Sequence, residues 1–473
     1  MIKKISLTVI LFYTAIQVNA QHQELGEKPS IWKQKDKQAI DSNTLLYAFK
    51  NGSINGHLRY FFMSTDNQPG LSDYYAHAGG GGIKFETAKF KGFQLGISGF
   101  FTFNLSSSDL SKPDQSTNQS NRYEIGLFDI EDPTNKTDID RLEELFIKYN
   151  FGNSFVTAGK QLINTPFINL QDGRMRPTEV SGLWTEINSI KNLKIEGGFL
   201  NQISPRGTVK WYNVKESIGV YSSGLNKDGS KSNYAGNTNT KGIAMIGLKH
   251  KTTKNISLKF WNLFVENIFN ISMLQADLKQ PIASGGDLIG GIQFIQQHRI
   301  GNGGNNELSK RYVQDNNATT FGGTIGWENK SWNTSFNYNR ITAAGRYLMP
   351  REWGRDPFYT FMSRERNEGF SDVNAYVIKI GYTIPKTTIK TNTSVGYVEL
   401  PEVGDFAKNK YGMPSYTQLN VDIRYEFTGF LTGLGTQLLY VYKKKAGNST
   451  INEKYIINKV NMGLWNLVLN YNF

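Results

Sequence analysis

The sequence predicts an all-β protein: a transmembrane antiparallel β-barrel of about 18 strands with inward-folded loops. Three observations predict it. First, the chain ends in GLWNLVLNYNF, where Trp465, Leu467, Leu469, Tyr471 and Phe473 share one face of an extended segment and Asn466, Asn470 and Asn472 share the other. Second, QLNVDIRYEF sets Leu419, Val421, Ile423, Tyr425 and Phe427 opposite Gln418, Asn420, Asp422, Arg424 and Glu426. A sandwich core would not accept that second face, because burying unpaired charge costs several kcal/mol, whereas a water-filled lumen accepts it freely. Third, such segments are joined alternately by short turns and long loops, as a barrel with both termini on one side requires.

Taken from the N-terminus, Lys3 and Lys4 precede an apolar run from Ile5 to Ile16, and Val18-Asn19-Ala20 offers a small-residue cleavage site. Residues 1–20 therefore read as a secretory signal peptide, and Gln21 in place of Cys argues against a lipid anchor. Residues 21–50 read as a polar periplasmic extension, and 51–473 as the barrel. Strands are expected near 55–63, 78–89, 92–104, 140–151, 154–161, 180–189, 192–202, 241–250, 256–266, 268–277, 287–299, 316–328, 331–340, 372–384, 388–399, 414–427, 433–444 and 460–473. In the first, GHLRYFFM turns Leu58, Tyr60 and Phe62 outward and His57, Arg59 and Phe61 inward. In the third, Phe93, Leu95, Ile97, Phe101 and Phe103 face out against Gln94, Ser98, Thr102 and Asn104. The long connections are 105–139, 162–179, 203–240, 341–371 and 445–459. Within them, 222–240 (SSGLNKDGSKSNYAGNTNT) has the composition of a solvated, mobile loop.

Composition narrows the function. Hydrophobic residues are 38% of the chain, with 47 Gly, 24 Tyr and 29 Phe, the balance of a protein that spreads a thin apolar face over many strands. Cys is absent, so stability rests on closed ladders rather than disulfides. The net charge of +13, or +11 without Lys3 and Lys4, is spread out, and the one basic run is Lys443-Lys444-Lys445, which excludes a nucleic-acid surface. His22, His57, His77, His250 and His298 never pair at ligand spacing, so no metal is expected. AGGGGIKF (78–85) and GNGGNN (301–306) lack the spacing of a phosphate cradle, so no cofactor is expected. No motif joins a nucleophile to a base, and no enzyme is expected.

Two loop segments differ from the rest. GKQLINTPFINLQDGRMRPTEVSG (159–182) and YLMPREWGRDPFYTFMSRERNEGFSD (347–372) mix arginine, acid, proline and aromatic residues. Paired charges among aromatics imply ordered loops folded into a wide barrel. At GKQLINTP, QDGRMRP, EWGRDPFYT and RERNEG the chain resembles the OprD-type outer-membrane porins. The resemblance carries Asp172, Gly173, Arg174 and Pro177 onto the family's third-loop pattern. It carries Trp353, Gly354, Asp356, Pro357, Arg364, Arg366, Asn367 and Glu368 onto its seventh. It implies a monomeric eighteen-stranded channel narrowed by those loops, with a ladder of basic residues guiding carboxylate-bearing solutes past an opposing acidic patch. Arg176 departs from the family, which usually has an apolar residue there.

Arginine suits that task physically, since its charge persists and its flat fork matches a carboxylate. The candidate basic residues are Arg59 and Arg424, inward by strand parity, and Arg174, Arg176, Arg355, Arg364 and Arg366 from the loops. Asp172, Glu365 and Asp422 are the candidate opposing acids. The alternative role for such arginines is to pin loops to the wall, and Arg351 and Arg355, beside acids in sequence, fit it best. The expected function is passive diffusion of small hydrophilic solutes across the outer membrane, with a preference for carboxylates. A general diffusion porin without preference and a barrel-anchored adhesion protein are the other readings. The expected partners are the solutes, the lipid bilayer and, through the strand ending in Phe473, the barrel-assembly machinery.

Overall fold

The computed structural model describes residues 41–171, 173–448 and 450–473. Eighteen long strands form the wall. They are β1 (Ser53–Asn67), β2 (Tyr74–Glu86), β3 (Phe93–Ser107), β4 (Ile139–Phe151), β5 (Ser154–Gln161) and β6 (Glu179–Ile190). There follow β7 (Leu193–Ser204), β8 (Ile243–Lys251), β9 (Ile256–Val265), β10 (Phe269–Pro281), β11 (Asp287–Arg299) and β12 (Asn317–Glu328). The last are β13 (Trp332–Ile341), β14 (Val373–Thr383), β15 (Lys390–Glu399), β16 (Tyr416–Glu426), β17 (Leu434–Lys445) and β18 (Met462–Asn472). Each pairs antiparallel with its sequence neighbours, and β1 closes on β18 from His57 opposite Asn472 to Asn67 opposite Met462. Closure leaves no unpaired edge, which is what a sheet in hydrocarbon needs. Each expected strand is found. The largest shifts in bounds are at β1 and β2, which run further toward the long-loop end, to Asn67 and from Tyr74, and at β10, which runs on to Pro281.

The expected alternation is seen in which residues are covered. On β1, Leu58 is exposed while His57, Arg59 and Phe61 are buried, and on β3 the exposed Leu95, Ile97, Phe101 and Phe103 alternate with buried Gln94, Ser98 and Thr102. Aromatic pairs mark both ends of the apolar band. Phe93–Tyr149, Trp332–Tyr382 and Tyr471–Phe473 lie at the short-turn end, and Tyr440–Trp465 and Tyr338–Tyr376 toward the long-loop end. One irregularity re-aims side chains. A register shift between β3 and β4 lets Glu143 and Glu144 both point inward between exposed Leu142 and Leu145. There Glu143 pairs with Arg141 at 2.8 Å and Glu144 with Lys84 at 3.1 Å.

The two halves of the lumen differ. Toward the short turns, ion pairs line the wall: Lys194 and Lys249 share Glu196 at 2.8 Å each, and Lys279 bonds Glu328 at 2.7 Å. Toward the long loops the interior is packed. Trp353 of loop 342–372 is fully buried, lies 6.2 Å from Phe269 of the wall and donates to Ser217 Oγ at 2.9 Å. Loop 205–242 is part of that packing, contrary to the mobile, solvated segment its composition implies. Tyr234 is 5% exposed, meets Tyr312 at 4.9 Å and accepts from Lys410 Nζ at 3.1 Å. A single aromatic anchor, with Asn226 donating to Ser230 Oγ and the Leu225 amide to the Lys410 carbonyl, outweighs the polar composition around it. The expected leader at 1–20 and most of the expected extension, residues 21–40, lie outside the described residues. The end of the extension forms a helix, α1 (Leu45–Lys50).

Candidate functional site

Four loops from distant parts of the chain meet where Gly173 lies. A Cβ built on Gly173 would sit 2.9 Å from Arg364 Nη1 and 3.2 Å from Arg206 Nη1, so the absent side chain leaves room for both guanidiniums where loops 162–178, 205–242 and 342–372 meet. Loop 108–138 joins them through Gly126, whose Cβ would sit 2.5 Å from Arg174 Nε.

Around this point the arginines are ordered by acceptors from the wall and the loops. Arg59 of β1 donates through Nε to Asn470 Oδ1 and through Nη1 to the Arg174 carbonyl, each at 2.7 Å. Arg364 donates to Asn466 Oδ1 at 2.5 Å and to the Gly173 carbonyl at 3.3 Å. The asparagines on the inner face of β18 thus hold two of the predicted arginines. Arg364 takes φ 73°, a left-handed conformation costly for a side chain of this kind, and its neighbours hold it there. Arg206 donates to the Gln171 carbonyl at 3.2 Å, and its own carbonyl accepts from the Tyr221 hydroxyl. Arg366 donates to the Arg351 carbonyl at 2.9 Å.

The cluster brings like charges together. Burial, then the Arg364 charge, pulls Arg174 down to about 9, still cationic at neutral pH. Burial, then Arg174, holds Arg206 well below its ordinary value. Glu124 lies near Arg174, but it is buried and already accepts from Thr65 at 2.5 Å and Asn121 at 2.6 Å. Arg59 and Arg174 are nearly covered, while Arg206, Arg364 and Arg366 keep partial exposure.

The other predicted residues go elsewhere. Arg176 is 1% exposed, donates to the Ile139 carbonyl at 3.3 Å behind the third loop, and its Nε and Nη2 lack a hydrogen-bond partner. Its burial beside Arg141 places it in the packing between loop and wall, covered where a ladder position requires exposure. Arg355 is buried within the seventh loop, with its amide bonded to Asn169 Oδ1 and its guanidinium 5.1 Å from the Phe361 ring centre. Arg424 faces the lumen as parity predicts, but on β16, bonded to Asp422 at 3.0 Å, while Asp422 also accepts from Gln437 at 2.5 Å. Glu365 is not an open acid: it is ion-paired with Lys443, and Arg122 lies 3.6 Å away. Burial pushes Glu365 up, but Lys443 and Arg122 outweigh it and hold the carboxyl at about 2. Asp172 lies outside the described residues. Arg351 is the loop pin that its composition implies, though its partner is Glu368, seventeen positions away, and not its neighbour Glu352.

Three contributors escape sequence reasoning. Arg206 stands in SPRGT at the outer end of β7 with no periodicity to mark it. Tyr221 stands immediately before the low-complexity stretch 222–240, with no motif to mark it. Lys443 could have been found, since inward parity with Leu439 and Val441 places the first lysine of the KKK run in the lumen.

Over residues 50–358 the chain matches the outer membrane porin family OprD. Solved structures share the fold. Pseudomonas aeruginosa OccD3 (OpdP) aligns at TM-score 0.70 and 13% identity, covering 96% of this chain and 98% of that one. Acinetobacter baumannii OccAB2 aligns at 0.69 and 13%, covering 90% and 99%. Pseudomonas aeruginosa OpdK, solved with vanillate, aligns at 0.67 and 14%, covering 90% and 99%. No curated protein sequence matches. Family and fold are those of channels rather than enzymes, and the chain belongs to the OprD family of outer membrane porins.

Proposed function

We propose that this porin passes small hydrophilic solutes and favours those carrying a carboxylate. The observation that carries the reading is the convergence of Arg174, Arg206 and Arg364 around Gly173, where burial and the nearness of like charges favour the approach of an anion. Arg59 and Arg366 are assigned to the same path. Their bonds to carbonyls and asparagines hold the forks in place, which suits a site a solute must enter and leave. Asp422 is assigned to the opposing side, with Arg424 beside it. That OpdK was solved with an aromatic carboxylate makes such a compound the natural first probe. The barrel closes on itself within one chain, which supports a monomer, and Phe473 at the end of β18 is assigned to recognition by the assembly machinery. Residues 1–20 are assigned as a leader removed on export.

Planar-bilayer recording in a salt gradient, with and without vanillate, tests the reading. Small, anion-selective steps blocked by vanillate are expected. Large, unselective, unblocked steps would reduce the protein to a general diffusion porin.

A further inference from the structure

We infer that α1 is an interfacial foot, seated in the headgroup region of the periplasmic leaflet beside β2. A six-residue helix has no stability of its own in water, so something must hold it. Two contacts with the barrel do part of this. The Ala88 amide in the turn after β2 donates to the Ala48 carbonyl at 3.0 Å, and Asp41–Ser42 pairs with Lys89–Phe90 of the same turn. Thr44 caps the start, its hydroxyl accepting from the Tyr47 amide at 3.2 Å. Yet only Ala48 is buried, and Leu45, Leu46 and Phe49 remain 54%, 65% and 44% exposed. At 3.6 residues per turn these three share one face, with Lys50 at its margin.

The surroundings of that face identify its occupant. Phe49 stacks on Phe85 with ring centres 6.2 Å apart. Phe85 shares the outer face of β2 with Ile83, which is 61% exposed, whereas Lys84 and Glu86 point into the lumen and are buried. The apolar face of α1 therefore continues the lipid-facing surface of the wall and does not open on the pore. It lies at the end of β2 that carries the short turns and both termini of the barrel, where aromatic rings mark the membrane boundary. Lys50, Lys89 and Lys91 stand close by, where anionic phospholipid headgroups would meet them. An apolar face continuous with the bilayer-facing wall and rimmed by lysines fits a lipid surface.

Because the chain has no cysteine, Leu46→Cys supplies a single thiol for an environment-sensitive fluorophore. The full protein would be reconstituted in phosphatidylethanolamine and phosphatidylglycerol vesicles, with acyl chains brominated near the headgroup. Ile97→Cys on the lipid face and Ser284→Cys on an exposed short turn are the references. The label at position 46 is expected to be quenched by brominated lipid several-fold more than at 284, approaching position 97, and to resist aqueous iodide. Quenching that follows position 284 would overturn the inference. Protection from both quenchers would overturn it too, because a protein surface would then cover the helix. Leu45→Cys repeats the measurement independently.

Discussion

Arg364→Met removes a guanidinium from the arginine cluster at Gly173, the proposed constriction, while keeping a side chain of similar length. The structure sets the size of the effect. A carboxylate about 4 Å from one guanidinium gains about 1 kcal/mol where the medium behaves as water and about 4 kcal/mol at an effective dielectric constant of about 20. Arg364 is half-buried, between those limits, and each ~1.4 kcal/mol is tenfold in affinity. Block of the channel by vanillate should therefore weaken by at least about fivefold at low salt, with the difference shrinking as ionic strength rises. The reversal potential should move toward cation preference. Loss of the bonds to Asn466 and the Gly173 carbonyl also frees part of the seventh loop, so single-channel conductance must be read from the same traces. Conductance that rises while selectivity and block stay unchanged would refute the argument and leave Arg364 a clamp. Unchanged traces throughout would refute both roles.

Three further outcomes are expected. Asp356 is raised to about 6, chiefly by burial, against the pull of Arg366, so at neutral pH its carboxylate still offsets positive charge in the seventh loop. Its raised value makes protonation favourable in the fold, and anion selectivity should grow as pH falls through about 6, with Glu365, held at about 2, unchanged in that window. Lys443→Met would leave Glu365 buried with Arg122 at 3.6 Å, costing about 3–5 kcal/mol in a urea unfolding titration at neutral pH. The wild-type pair stabilises fully above the ordinary carboxyl range and fades as pH falls from about 4 toward 2, so Glu365→Gln in the Lys443→Met background should restore much of the loss. Gly173→Ala should displace the ends of Arg364 and Arg206, lowering conductance and altering block with little effect on barrel stability, as read from bilayer traces and heat modifiability on gels.

The wall was legible because a strand's side chains alternate strictly, so each position announces its face through neighbours two residues away. Arg59 and Arg424 were placed inward on that basis alone, and Lys443 would have been by the same rule. The closed topology was legible too, since polar inner faces and alternating turn lengths leave few other solutions. The loops obey no such period, and there adjacency misleads. Arg351 stands next to Glu352, yet it pairs with Glu368, while the Glu352 carboxylate accepts the amides of Gly219 and Tyr221 from another loop. Successive side chains of an irregular segment diverge, and an ion's partner is whatever the fold brings near, so partners more than a hundred positions apart are invisible in the order of residues. For the same reason Arg176 and Arg355 went into packing, whereas Arg206 entered the cluster unannounced. Local periodicity determined the barrel and its two faces; the convergence of the loops inside it decided which charges go into packing and which gather at Gly173.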